Sequence, residues 1–123
     1  MRTRGTAVVI RDGKVLLVRD KGKERYSLPG GGSKRNEPSM AAAIRELYEE
    51  LRMSAKKSER IFSCDFNGSL NRHRVSLIQT DDEPRLQRKE LDKFIWWDMK
   101  LEIPRYPHVD RILNNIKLYL RLE

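Results

Sequence analysis

The sequence predicts one α/β domain in which a mixed β-sheet carries helices packed on it. Three observations predict it. Short runs rich in β-branched residues recur along the chain and end in turn residues. Two stretches, Met40 to Leu51 and Val109 to Leu120, repeat apolar residues at the helical period. The units follow one another as strands, helix, strands, helix, with no internal repeat, low-complexity tract or linker between them. A chain of 123 residues, 38% of them hydrophobic, suits a single domain over residues 1–123 with one modest core.

Thr6 to Arg11 and Lys14 to Arg19 read as two strands. Asp12-Gly13 between them signals a two-residue type I′ hairpin turn, which needs φ > 0 at both centres. Residues 20–27 are polar and form a loop. Leu28-Pro29-Gly30-Gly31-Gly32 comes next, where the absence of Cβ lets the backbone approach closely and present N–H groups to phosphate oxygens. A bare triple glycine is more often only a loop, and it gains weight here from the helix downstream of it.

That helix starts near Pro38 or Ser39, because proline suits the first helical turn. Met40, Ile44, Leu47 and Leu51 form one apolar stripe, and Glu46, Glu49 and Glu50 are expected on the side away from it. Glu46 and Glu50 are a like-charge i, i+4 pair costing about 0.2–0.5 kcal/mol. Glu49 and Glu50 sit in the last turns, where the helix dipole disfavours anions. Glutamates on a helix are usually a solvated face. A divalent cation would resolve the conflict, because hard cations take oxygen ligands.

Lys56 to Glu59 is expected to be a charged connector. Arg60 to Phe66 and Arg72 to Thr80 are read as strands paired in a hairpin across the Asn67-Gly68-Ser69 turn. Asp81 to Leu91 is a mixed-charge loop, and Lys93 to Asp98 a short strand. Pro104 and Pro107 lead into the last helix, whose stripe of Val109, Ile112, Leu113, Ile116 and Leu120 is read as core packing against the sheet.

The 26 Lys and Arg against 18 Asp and Glu leave a formal net charge of +8, which favours anionic partners such as nucleotides, polyphosphates or nucleic acid. The single cysteine, Cys64, excludes an intrachain disulfide and is read as a core strand residue. The apolar run near the N-terminus is too short for a signal peptide or membrane span, so a cytoplasmic location and no membrane partner are expected.

Gly31, then Glu37, then Arg45-Glu46-Leu47, then Glu49-Glu50 and Met53 together resemble the Nudix box. One position departs: the closing glycine of that box is Arg52 here. Arginine would pay about 1–2 kcal/mol for a left-handed conformation, so the helix is expected to run on toward Ser54. The resemblance implies an α/β/α sandwich and hydrolysis of a nucleoside diphosphate linked to another moiety, with Mg²⁺ as cofactor and Mn²⁺ as a substitute. It also implies residue roles. The matches to Glu49 and Glu50 bind metal, and the match to Glu46 binds metal or acts as base. The match to Arg45 orients a neighbouring glutamate; Glu37 supports the site and is a further candidate for the metal shell. Gly30, Gly31 and Gly32 belong to the phosphate loop, and Arg19 ends its strand near the substrate phosphates or is simply an exposed strand end. Glu90 is the candidate general base from a later loop, against a plain solvated charge.

His73 is read as a strand residue without a catalytic role, and His108 as a weaker candidate for ligand contact. Tyr26, Phe66, Trp96 and Trp97 are aromatic candidates for stacking a base, although core aromatics are the commoner case. Two other readings compete. A nucleotide-sensing module of the same fold rests only on Arg52, since such modules usually lose box carboxylates. An RNA 5′-end pyrophosphohydrolase rests on the net charge alone, with no basic-and-aromatic motif behind it.

Overall fold

The computed structural model describes residues 1–121. The elements run β1 (Arg2–Val8), β2 (Ile10–Arg11), β3 (Lys14–Asp20), β4 (Gly30–Gly32), α1 (Ser39–Leu51), β5 (Lys57–Arg60), a 3₁₀ turn (Phe62–Cys64), β6 (Phe66–Asn67), β7 (Asn71–Gln79), β8 (Leu91–Trp97) and α2 (Pro107–Leu120). They form two sheets. One has the order β4-β1-β7-β5, with β6 also on β7; the other has the order β2-β3-β8. β1 and β7 pair in parallel and every other pair is antiparallel, so the first sheet is mixed.

The apolar runs of β1 and β3 are continuous because both faces of these strands are covered. Ala7, Val9, Leu16 and Val18 point into a core with Ala43, Leu47 and Leu51 of α1. Val8, Val15 and Leu17 point the opposite way, into a core with Val109, Ile112, Leu113 and Ile116 of α2. The period-two alternation thus feeds two cores, and the result is an α/β/α sandwich.

The Asp12-Gly13 turn is in place, with φ of 53° and 75°, and sets Ile10 opposite Val15. The strand before it differs from expectation. It begins at Arg2 rather than Thr6, and breaks at Val9, where the chain passes from one sheet to the other. The polar start Arg2–Thr6 is strand because it pairs along Asn71–Val75 of β7. Gly30–Gly32 is likewise paired, as a short strand on β1, rather than a free loop.

The 60–66 strand is also corrected. Lys57–Arg60 is the strand, not a connector, and pairs with Ser76–Gln79. A 3₁₀ turn then buries Cys64 and leaves Phe62 exposed, before β6 resumes pairing at Phe66. The bidentate Arg60–Asp65 pair, 2.8 Å at each arm, closes this turn.

α1 ends at Leu51, so the expected run toward Ser54 is wrong. Arg52 adopts φ 54° and ψ 34°, the left-handed conformation. Long-range contacts impose it. The N–H of Arg85 donates to Leu51 O (2.8 Å), that of Gln87 to Glu50 O (3.0 Å), and Met53 is drawn fully into the core. Arg52→Gly should therefore stabilise the fold by about 1 kcal/mol, read as a higher urea midpoint at unchanged m-value. A lower midpoint would mean that the stacking of Arg52 on Tyr48, 5.2 Å from guanidinium to ring, outweighs the backbone strain.

Candidate active site

Burial along α1 departs from the apolar stripe. Ala42, Ala43, Leu47, Glu50 and Leu51 are the buried residues, while Met40 and Ile44 are only half-buried. Glu50 thus lies inside the packed face, not opposite it, and is 6% exposed. Glu46, one turn earlier, is half-buried beside it, whereas Glu49 is exposed. The turn before β8 brings in Glu90, anchored by Lys21 N–H donating to Glu90 O at 2.8 Å. Glu46, Glu50 and Glu90 offer carboxylate oxygens that all lie within 4.8 Å of one another.

The electrostatics of Glu50 are unusual. Its Oε1 is buried and, among the described residues, without a hydrogen-bond partner. Burial pushes its pKa up to about 8; Arg4 opposes this, Glu46 and Asp20 add to it, and the Gly30 N–H opposes it. A buried carboxylate oxygen with no donor on it suits a cation ligand.

Arg45 holds the acidic cluster together. Its Nε and Nη2 donate to both oxygens of Glu37, at 2.9 and 3.0 Å, and its Nη1 donates to Glu46 at 2.7 Å and Glu49 at 3.3 Å. Glu37 also accepts the Lys34 N–H (2.9 Å), and with Arg45 as the larger cause its pKa is lowered to about 2. Glu37 and Glu49 are thus placed on Arg45, outside the group of three. The glycines fit around these side chains. A Cβ on Gly31 would collide with the Glu46 carboxylate, and Gly30 has φ 147°. Arg19 stays apart from this cluster, its guanidinium 5.8 Å from the Tyr26 ring.

Sequence reading misses Arg2, Arg4, Asp20 and Asn71. With Glu46, Glu50, Glu90 and the glycines they line a cavity of about 410 Å³. The one signal available is the Arg-x-Arg spacing of Arg2 and Arg4, which puts both on one side of a strand. Arg4, Asp20 and Asn71 also border a second cavity of about 490 Å³, walled by Phe66, Leu70, His73, Tyr106 and His108. Of the four aromatic candidates, only Phe66 faces it; Tyr26 and Trp97 are core, and Trp96 lies against Arg11.

Four rings stack along this wall: Phe66 on His73 (6.3 Å), His73 on His108 (4.2 Å) and His108 on Tyr106 (6.1 Å). Thr6 Oγ1 hydrogen-bonds His73 Nδ1 at 2.8 Å, and Leu28 N–H donates to His108 Nε2 at 3.3 Å. An accepting Nε2 places the proton of a neutral His108 on Nδ1. Burial lowers His73 to about 4, with Arg4 and Arg74 adding, and lowers His108 to about 3, with His73 and Arg4 adding.

These two rings should make the fold acid-sensitive. Below about pH 6.5 the unfolded chain protonates them and the folded chain does not, so their contribution is lost as pH falls toward 4 and then 3. Glu50 acts with the opposite sign in an overlapping range, so a difference measurement is required. Relative to His108→Gln, the native protein should lose about 2–3 kcal/mol between pH 7 and pH 4. Parallel urea midpoints for the two proteins across that range would refute it.

A family model described as NUDIX domain matches residues 1–114. A crystal structure assigned to the nudix hydrolase family from Chromobacterium violaceum is 25% identical, covers 100% of this chain and 81% of that one, and superposes with TM-score 0.80. A MutT NUDIX hydrolase from Burkholderia pseudomallei is 22% identical over 94% of this chain and 97% of that one, TM-score 0.76. An Ap4A hydrolase binary complex from C. elegans is 18% identical over 97% and 98%, TM-score 0.77. These last two likenesses establish the fold. A comparison with curated proteins found no match.

Proposed function

We propose a function from one premise: the chain belongs to the Nudix family, whose domain model spans residues 1–114. It is a hydrolase acting on phosphoric anhydrides. Our finer reading is cleavage of the diphosphate linkage of a nucleoside diphosphate joined to another moiety, with Mg²⁺ as the ion and Mn²⁺ as a substitute.

The observation that carries it is the orphaned Glu50 Oε1 among three converging carboxylates. That donor set fits a hard divalent cation, which takes oxygen ligands. Glu46 and Glu50 would hold it, with Glu49 and Glu37 beside them, which leaves Glu90 free of the ion as the base. Such an ion, when bound, supplies charge neutralisation at phosphate oxygens and lowers the pKa of water.

The chain's own groups do the rest. Arg45 fixes Glu46 in orientation. Glu90, exposed at the cavity mouth, accepts a proton from the attacking water. The ring-walled cavity has the size and apolar lining to take a nucleoside. Arg52, the one feature in favour of a sensing module, holds the left-handed conformation for which glycine is the usual choice at a helix end, so no observation favours that reading.

The test is a panel of nucleoside triphosphates, dinucleoside polyphosphates, ADP-ribose and 5′-triphosphate RNA, with Mg²⁺ or Mn²⁺ and with product identification. Release of a nucleotide product from at least one member is expected. No turnover anywhere would overturn the reading. RNA affinity that vanishes steeply with salt would mark nonspecific attraction by the net charge.

A further inference from the structure

We propose that Arg4 binds the substrate phosphate adjacent to the ring-bearing group, at the junction of the two cavities; this rests on the pyrophosphohydrolase reading above. Arg4 sits in β1 with His73 of β7 on one side and Gly32 of β4 on the other. It lines both the ring-walled cavity and the carboxylate cavity, a position shared with Asp20 and Asn71. Among these three it is the one cation.

The guanidinium is oriented but not satisfied. Its Nη2 donates to Leu28 O at 2.9 Å, which fixes the plane of the fork, while its Nε is buried with no partner among the described residues. Burial pulls its pKa below the usual arginine value, against Glu50, Asp20 and Glu46, yet among the described residues it forms no ion pair. A desolvated cation without a counter-ion is costly. Glu50 is in the mirror-image position, a buried carboxylate with an orphaned oxygen. A direct Arg4–Glu50 pair would quench both charges. Holding them close but unpaired leaves one free for an incoming cation and the other for an incoming anion.

A phosphate is the anion that fits, because a guanidinium fork engages phosphate oxygens bidentately. The placement also sets the direction of the substrate. The ring lies among Phe66, His73, His108 and Tyr106, and Arg4 meets the first phosphate. The distal phosphates extend toward Gly30–Gly32, Arg2 and the carboxylates.

Calorimetry in metal-free buffer tests this, with the nucleosides and their 5′-monophosphates as probes. The native protein should bind the preferred monophosphate about 10- to 100-fold more tightly than its nucleoside, the worth of a hydrogen bond to a charged group. Arg4→Gln, which keeps a donor for Leu28 O, should abolish that preference and leave nucleoside affinity within about twofold. Arg4→Lys, which keeps charge without the fork, should restore part of it. In turnover, Arg4→Gln should raise KM more than it lowers kcat, with a melting temperature close to native. A folded Arg4→Gln or Arg4→Lys protein that retains the full monophosphate preference would overturn the proposal, as would a native protein with none. Monophosphate preference without hydrolysis of any panel member would instead sink the enzymatic reading and leave Arg4 as a phosphate ligand.

Discussion

Replacing Glu50 by Gln should abolish turnover while making the metal-free protein more stable. Both halves come from the same burial. Glu50 is 6% exposed, has an oxygen without a partner among the described residues, and is pushed by burial up to a pKa of about 8. In the unfolded chain it ionises near 4.5. Its contribution is therefore whole below pH 4.5 and is lost as the pH rises through 8, because the folded state retains a proton that the unfolded state has released. Gln has nearly the same shape and no charge to ionise. The variant should gain on the native protein from pH 5 upward, reaching on the order of 3–5 kcal/mol by pH 8. Mg²⁺ should reverse the order, raising the melting temperature of the native protein and leaving the variant unmoved. Turnover should fall by more than about 100-fold, since even a group that only supports a metal ligand is worth about 10- to 100-fold. Melting curves at pH 5 and 8, with and without Mg²⁺, and the panel assay check each half separately. Full activity in the Gln protein would remove Glu50 from the site.

Gly5→Ala should be strongly damaging. Gly5 lies in β1 directly under α1, where a Cβ would meet the Ser39 carbonyl, the Ala43 N–H and the Ala42 methyl at distances no real side chain shows. Backbone forms most of that wall, so nothing can rotate aside. α1 must lift, at a cost of about 3 kcal/mol. Gly5 is also paired with Gly31, whose missing Cβ leaves room for Glu46. Lifting α1 moves Glu46 and Glu50 away from Glu90, and misplacement by about 1 Å costs about 100-fold in rate. A lower urea midpoint and a loss of turnover persisting at temperatures where the variant is fully folded are expected. A midpoint within experimental scatter of native would refute the close approach of strand and helix.

The legible parts of this protein are those where neighbours in sequence decide the physics. Asp12-Gly13 forms its turn because two positive φ values are a local demand. The segment 39–51 is helical by period, and Arg45, Glu46, Leu47, Glu49 and Glu50 arrive on it in register. Other features are illegible for a reason that can be named in each case. Glu50 reads as a solvent-facing charge because an acidic residue is scored as polar; its burial depends on β1 and β4 lying beneath it. The 60–66 run reads as one strand because its apolar residues are dense. Asp65, reaching Arg60 and the Val75 N–H, folds it into a turn instead.

By itself the sequence determined the α/β class and placed the acidic residues along one segment, since composition, period and spacing are properties of the chain alone; the family entered through the resemblance of the box and the match over residues 1–114. The tertiary structure decided which of those acids converge. Glu46 and Glu50 meet Glu90 because β3 and β8 pair beside α1, while Glu37 and Glu49 are drawn onto Arg45. It also decided that Arg52 turns left-handed and that Arg2 and Arg4 border the cavity. Each of these outcomes is a balance of burial, strain and charge between residues far apart in the chain, and that balance exists only once the layers have closed on one another.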